Sequence, residues 1–271
     1  MIDSRRAASP SVTSRRRHRG ASWRPCALRQ RLTRRTNASG KGERTMADCE
    51  GLRQGEERAE MQAGVIDSST HGGRSRVRLD VLKSLLIIFV VGGPGCGKGT
   101  QCRNMATKYG FCHVGLGQLL REEAQRSTKR GRKIRDIMQQ GLLVPTGLIL
   151  DMVSDSLLSR PESSGFLIDG FPRELEQAKE FERIVGRAPN VVMVFDCSME
   201  TMVRRVLQRG QVEHRADDSE STIHKRLETY YTLCEPVLAF YQQKNLLRNI
   251  LAEEAPESIF AKCCLVIESL Q

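Results

Sequence analysis

Apolar positions follow two alternating patterns along most of this chain. From residue 84 onward, short and nearly unbroken apolar runs are separated by longer stretches in which apolar residues recur three or four apart. The short runs predict strands over residues 85–91, 111–114, 166–169, 191–196 and 246–251. A run such as Val191-Val192-Met193-Val194-Phe195 lacks the polar alternation of a half-exposed strand and suits a parallel sheet covered on both faces. Helix-length segments lie between the strands, as βαβ units require. Over residues 222–241, Ile223, Leu227, Tyr230, Cys234, Leu238 and Tyr241 keep helical spacing and predict an amphipathic helix. A kink is expected near Pro236, which has no N–H to donate. The predicted fold class is therefore α/β: a doubly wound, five-stranded parallel sheet flanked by helices, with no internal repeat.

Residues 1–80 show no sustained apolar period and are rich in Arg, Ser and Gly, so they cannot bury enough surface to offset the entropy of ordering. They are read as a disordered extension preceding a domain at 81–271. Three explanations stay open for this extension. Its composition fits a transit peptide, although no apolar helical face accompanies Arg15-Arg16-Arg17. The same basic runs fit a nucleic-acid or nuclear-address segment. The preferred explanation is an upstream extension, with Met46 or Met61 as the functional start.

Charge sharpens that division. The chain of 271 residues carries a formal net charge of +11, from 43 Lys and Arg against 32 Asp and Glu. Residues 1–45 hold 13 of those cations and 2 of the acids, which leaves the remainder balanced at 30 of each. The basicity therefore says nothing about nucleic-acid binding by the folded body. No apolar run approaches the roughly 20 residues needed to span a bilayer. Nine cysteines, at 26, 49, 96, 102, 112, 197, 234, 263 and 264, show neither C-x-x-C spacing nor paired histidines at zinc-ligand spacing. With no apolar leader, they are expected to be thiols in a reducing, cytoplasmic setting; a mitochondrial address is the alternative if the extension is a transit peptide.

Directly after the first predicted strand comes Gly92-Gly93-Pro94-Gly95-Cys96-Gly97-Lys98-Gly99-Thr100. This matches the phosphate-binding pattern G-x-x-x-x-G-K-[ST] up to its last position, where Gly99 stands and Thr100 follows. In such a loop successive backbone N–H groups and a helix N-terminus face the phosphates, glycines permit the close approach, and the lysine neutralises β and γ oxygens. A bare glycine-rich turn would account for the glycines alone, but the lysine, the preceding strand and the following helix together indicate a nucleotide. Asp169 ends a predicted buried strand, at the sheet edge where open α/β sheets hold ligands. A carboxylate there can hold the hydration shell of Mg²⁺ without binding the ion directly; a turn or cap role is the plain alternative. Arginines at 121, 173, 205, 209, 215 and 226 are each compatible with a solvated helix face. If they converge, they suit the many phosphate oxygens of two nucleotides.

The run Gly92-Gly93-Pro94-Gly95-Cys96-Gly97-Lys98-Gly99-Thr100-Gln101-Cys102, together with Phe166-Leu167-Ile168-Asp169-Gly170-Phe171-Pro172-Arg173, resembles the nucleoside monophosphate kinases. The resemblance covers residues 85–271 and is nearest to the short-type adenylate kinases. Only Gln211, Val212, Glu213 and His214 separate Arg209-Gly210 from Arg215-Ala216-Asp217-Asp218, whereas long-type relatives insert a small domain there. The resemblance implies a P-loop NTPase-type sheet with a short lid, a monomer, and Mg²⁺-dependent, reversible transfer between ATP and AMP to give two ADP. By the same resemblance Gly93, Pro94, Gly95, Cys96, Gly97, Lys98, Gly99, Thr100, Arg205 and Arg209 would hold ATP. Leu116, Arg121, Val144, Gly170, Arg173, Gln177, Arg215 and Arg226 would hold AMP, with Gln177 reading adenine. Lys98, Asp169, Arg209, Arg215 and Arg226 would serve the transfer itself.

Three positions depart from the family pattern. Cys96 stands where Ser or Ala is usual, and a helix N-terminus can activate a thiol, although an inert small residue is the simpler reading. Gly115-Leu116-Gly117-Gln118 replaces Ser-Thr-Gly-Asp, which removes the threonine hydroxyl near the AMP base and, at Gln118, a negative charge near Arg121. The rival functions are a UMP/CMP kinase, against which Gln177 argues, and a nucleotide-binding module with weakened catalysis.

Overall fold

The computed structural model describes residues 84–270 except 214 and 216. The expected extension over 1–80 lies outside the described residues. Five strands, β1 (Leu86–Gly92), β2 (Cys112–Gly115), β3 (Gly165–Asp169), β4 (Val191–Asp196) and β5 (Leu247–Leu251), form one parallel sheet in the order β2-β3-β1-β4-β5. Among the described residues, eight helices accompany them: α1 (Lys98–Tyr109), α2 (Leu116–Gln125), α3 (Lys129–Gln139), α4 (Thr146–Leu158), α5 (Leu175–Val185), α6 (Met199–Glu213), α7 (Glu220–Gln243) and α8 (Pro256–Glu268). The strands start and end within a residue of the apolar runs.

The central strands are apolar on both faces because they feed two separate cores. Ile87, Phe89 and Val91 of β1 join Phe166, Ile168, Val192 and Val194 in one cluster, packed by α2, α4, α5 and α7. Ile88 and Val90 join Leu167, Val191, Met193 and Phe195 in the other, packed by α1, α6 and α8. Phe89 anchors the first cluster: its ring lies 5.1 Å from Phe171, 5.0 Å from Phe181 and 6.0 Å from Tyr241, all edge-on. The predicted amphipathic helix is α7, which runs through Pro236 as one 24-residue element. It spans both layers, with Ile223 and Leu227 in one core and Cys234, Val237 and Tyr241 in the other.

Topology positions the site. From β1 the chain moves outward to β2, returns to β3 beside β1, and then crosses to β4 and β5. That reversal sets the carboxyl ends of β1 and β3 next to each other, with Val90 paired to Asp169 and Val114 to Ile168. The crevice beyond such a reversal is where open α/β sheets bind ligands.

Candidate active site

The loop from β1 to α1 turns on two glycines in the left-handed region, Gly95 (φ 79°) and Gly97 (φ 87°). A Cβ on Gly95 would also come within 2.5 Å of the Met202 carbonyl oxygen. Side chains are excluded there by both strain and contact. Gly97 caps α1 and so leaves its first N–H groups facing the cleft. Lys98 arches back over the loop, its Nζ donating to the carbonyls of Gly92 and Gly93 at 2.7 Å each. The same Nζ lies 3.4 Å from Cys96 Sγ, which is fully buried beneath the loop.

Across the cleft, β3 ends at Asp169 and the chain turns at Gly170 (φ 77°). Asp169 Oδ2 lies 3.3 Å from Nε2 of His113, on neighbouring β2. Arg173 follows the turn and donates from Nε to the Gly170 carbonyl at 3.1 Å. Arg121, on α2, joins it over Gly117: a Cβ at that glycine would be 3.3 Å from Arg121 Nη1 and 3.9 Å from Arg173 Nη2. Burial, then the charge of Arg226, pushes Arg173 down to about 10, and burial, then Arg215, lowers Arg121. The protein thus holds two guanidinium groups in a partly dehydrated place that an anion would relieve.

The third wall is the end of α6 and the start of α7. Asp218 ties the two: Arg209 donates to its carboxylate from Nε and Nη2 at 2.8 and 2.7 Å, and Arg226 Nη1 donates to Oδ1 at 2.8 Å. Arg226 also reaches Asp217 Oδ2 at 3.1 Å, and Arg215 pairs with Glu213 at 2.5 Å. Burial opposes ionisation of Asp218, but the bond and charge of Arg209 outweigh it and its carboxyl lies below the ordinary value. In all, Lys98, Arg103, Arg121, Arg173, Arg209, Arg215 and Arg226 line one cleft, against the carboxylates of Asp169, Glu213 and Asp217. Such an excess of fixed positive charge, focused between low-dielectric walls, suits several phosphates at once.

A family model described as adenylate kinase matches residues 90–246. Adenylate kinase isoenzyme 1 of Homo sapiens is 47% identical over 191 residues, which are 70% of this chain and 98% of that protein. The Rattus norvegicus isoenzyme 1 is 47% identical over 193 residues, or 71% and 99% of the two chains. This chain belongs to the adenylate kinase family. Adenylate kinase isoenzyme 5 of Bos taurus is 44% identical over 216 residues, 79% of this chain but 38% of that longer protein.

As an adenylate kinase family member, the chain gathers most residues that its sequence singled out. Pro94, Gly95, Gly97, Lys98, Gly99, Thr100, Arg121, Asp169, Gly170, Arg173, Arg209, Arg215 and Arg226 all line the cleft. Gly93 and Cys96 lie beneath the loop, both buried. Arg205 donates to the Ala252 carbonyl at 2.8 Å, outside the lining. Leu116 is fully buried and Val144 is 4% exposed, both in the core between the sheet and α2 to α5; Met138, Gly141, Leu142 and Leu143 line the cleft near them. Gln177 is 1% exposed, and its amide is engaged: Oε1 accepts from the Arg173 N–H and Nε2 donates to Glu174 Oε1, both at 3.0 Å. Of the four residues predicted as the lid, 211–213 are the last turn of α6 and 214 lies outside the described residues. The sequence did not single out His113, Arg103 or the two aspartates as site residues. The adjacent acids Asp217-Asp218, one helical turn before α7, were the readable signal; His113 needed knowledge that β2 and β3 pair.

Proposed function

We propose that this adenylate kinase family member moves the γ-phosphoryl group of ATP to AMP, reversibly, giving two ADP. The observation that carries the proposal is the convergence of seven cationic side chains on one cleft beside the glycine-rich loop from β1 to α1. In this reading the loop from Gly93 to Thr100 cradles the ATP phosphates, with Lys98 released from its carbonyls to neutralise the β and γ oxygens. Arg121 and Arg173 take the AMP phosphate, and Arg209, Arg215 and Arg226 surround the group in flight. Gly170 closes the turn beside that phosphate, and Leu116, Val144 and Gln177 back the pocket for its base from the core. Arg205 lies on the ATP side, and Cys96 supports the loop from below as an inert small residue.

The chemistry needs little else. The AMP phosphate is already an anionic nucleophile, so no base has to take a proton. One of its oxygens bonds to the γ phosphorus while the bond from γ phosphorus to the β–γ bridging oxygen breaks, and the electrons stay with the departing ADP. Positioning and charge neutralisation supply the rate. Asp169, a carboxylate beside Gly99 at the end of the loop, fits Mg²⁺, which is bound through few carboxylates and several waters. When bound with ATP, Mg²⁺ would neutralise phosphate charge, and Asp169 would hold its water shell. Water must be kept from the γ-phosphoryl group, because it would otherwise compete as acceptor.

The protein is read as a cytoplasmic monomer with no nucleic-acid partner. Its seven described cysteines are buried free thiols, as reducing compartments maintain, and among the described residues no helix is long and apolar enough to cross a membrane. The test is ADP formation by the full chain from Mg-ATP with AMP, CMP, UMP or GMP. Selective turnover with AMP is expected; preference for a pyrimidine monophosphate would overturn the choice of acceptor.

A further inference from the structure

Cys102, His113 and Asp169 come from three different elements, α1, β2 and the end of β3, yet their donor atoms lie within 4.8 Å of one another. Spacing rules for zinc sites miss such a set because no two of these residues are close in sequence. The donors are one thiol, one imidazole and one carboxylate. That mixture does not suit Mg²⁺, which prefers oxygen and octahedral geometry, but it matches the ligands of zinc and neighbouring borderline-soft divalent ions. Donors around tetrahedral zinc stand roughly 3.5 Å apart, and His113 Nε2 and Asp169 Oδ2 are already at 3.3 Å. Only the thiol has to close, by a rotamer or backbone shift of about an ångström. His113 and Asp169 line the cleft, whereas Cys102 is fully buried behind them. An ion therefore has an entry path on one side and a dry ligand on the other.

We propose that Cys102, His113 and Asp169 bind a zinc-class divalent cation beside the phosphate-binding loop, and that its occupation inhibits the enzyme. Burial, then the charge of Asp169, holds the Cys102 thiol well above its ordinary value, so it is neutral until a metal displaces its proton. Binding thus releases one proton and forms a sulfur–metal bond, with no change of oxidation state. Inhibition follows because the ion engages the carboxylate that serves the nucleotide's own Mg²⁺, and this part alone rests on the function proposed above.

Binding and inhibition are separable in the test. The full chain, freed of metal and nucleotide, is titrated with Zn²⁺ by calorimetry, alongside Cys102→Ala and His113→Gln. His113→Gln is the safer variant for folding, since that side chain is 19% exposed and its amide still reaches Asp169. Each variant is expected to weaken this Zn²⁺ site at least about tenfold. With Co²⁺ as probe, a thiolate-to-metal charge-transfer band is expected in the unaltered protein and lost in Cys102→Ala. Unchanged Zn²⁺ affinity in both variants, or a band that survives Cys102→Ala, would overturn the site whatever the acceptor nucleotide proves to be. In turnover assays at excess Mg²⁺, His113→Gln should need at least about tenfold more Zn²⁺ for half inhibition than the unaltered protein. Equal sensitivity would overturn the inhibitory role.

Discussion

Arg173 carries its charge against its surroundings: burial and the like charge of Arg226 both favour its neutral form. A cation whose folded pKa is lowered penalises the fold at every pH below about 10, and the penalty fades only as pH rises through that value. Arg173→Met should therefore leave the melting temperature of the nucleotide-free protein equal or higher at neutral pH, while lowering kcat/KM by roughly 10²- to 10³-fold. A large loss of stability with activity retained would mean that Arg173 is a structural residue. At this scale the sequence was most legible where backbone geometry dictates residue type. Gly95 and Gly97 must adopt positive φ, Lys98 must follow them, and Asp169 must end its strand. The burial of Leu116, Val144 and Gln177 was not legible, because it depends on which way α2, α4 and α5 turn onto the sheet. The hydrogen bonds that engage Gln177 involve its own first helical turn and the turn before it, and no local pattern announces them.

Two helices meet the cleft through one carboxylate. Asp218 receives Arg209 from α6 and Arg226 from α7, and its side chain is 1% exposed. A depressed carboxyl contributes stability that is fully present above its unfolded value and is lost as pH falls through its folded value. Asp218→Asn is accordingly expected to cost about 2 kcal/mol at neutral pH by denaturant unfolding. The difference from the unaltered protein should shrink as pH falls below the ordinary carboxylate range, near ~4. A pH-independent difference would show that packing, not charge, links the helices. The three central strands were readable almost to the residue because their unbroken apolar runs are too short for helices and suit a sheet covered on both faces. The lid was less so. The helix α6 continues through Gly210 to Glu213, with Gly210 packed against Asp218: a Cβ there would lie 3.6 Å from the Asp218 Cβ and carbonyl oxygen.

Over the whole molecule, the informative feature is where charge is placed. Beyond residue 45 the chain has as many acids as bases, and the folded body still concentrates seven cations on one cleft against three carboxylates. Composition could not reveal that asymmetry; strand order and the meeting of α6 and α7 at Asp218 create it. Such a cleft suits phosphate-bearing ligands. Direct transfer from ATP to AMP, as proposed, is tested by phosphorus NMR with ATP labelled in its γ-phosphoryl group. With Mg²⁺ and AMP present, the label should appear as the β-phosphoryl group of ADP formed from AMP, with negligible inorganic phosphate. Label released mainly as inorganic phosphate, or retained in ATP while AMP is bound, would rule out direct transfer.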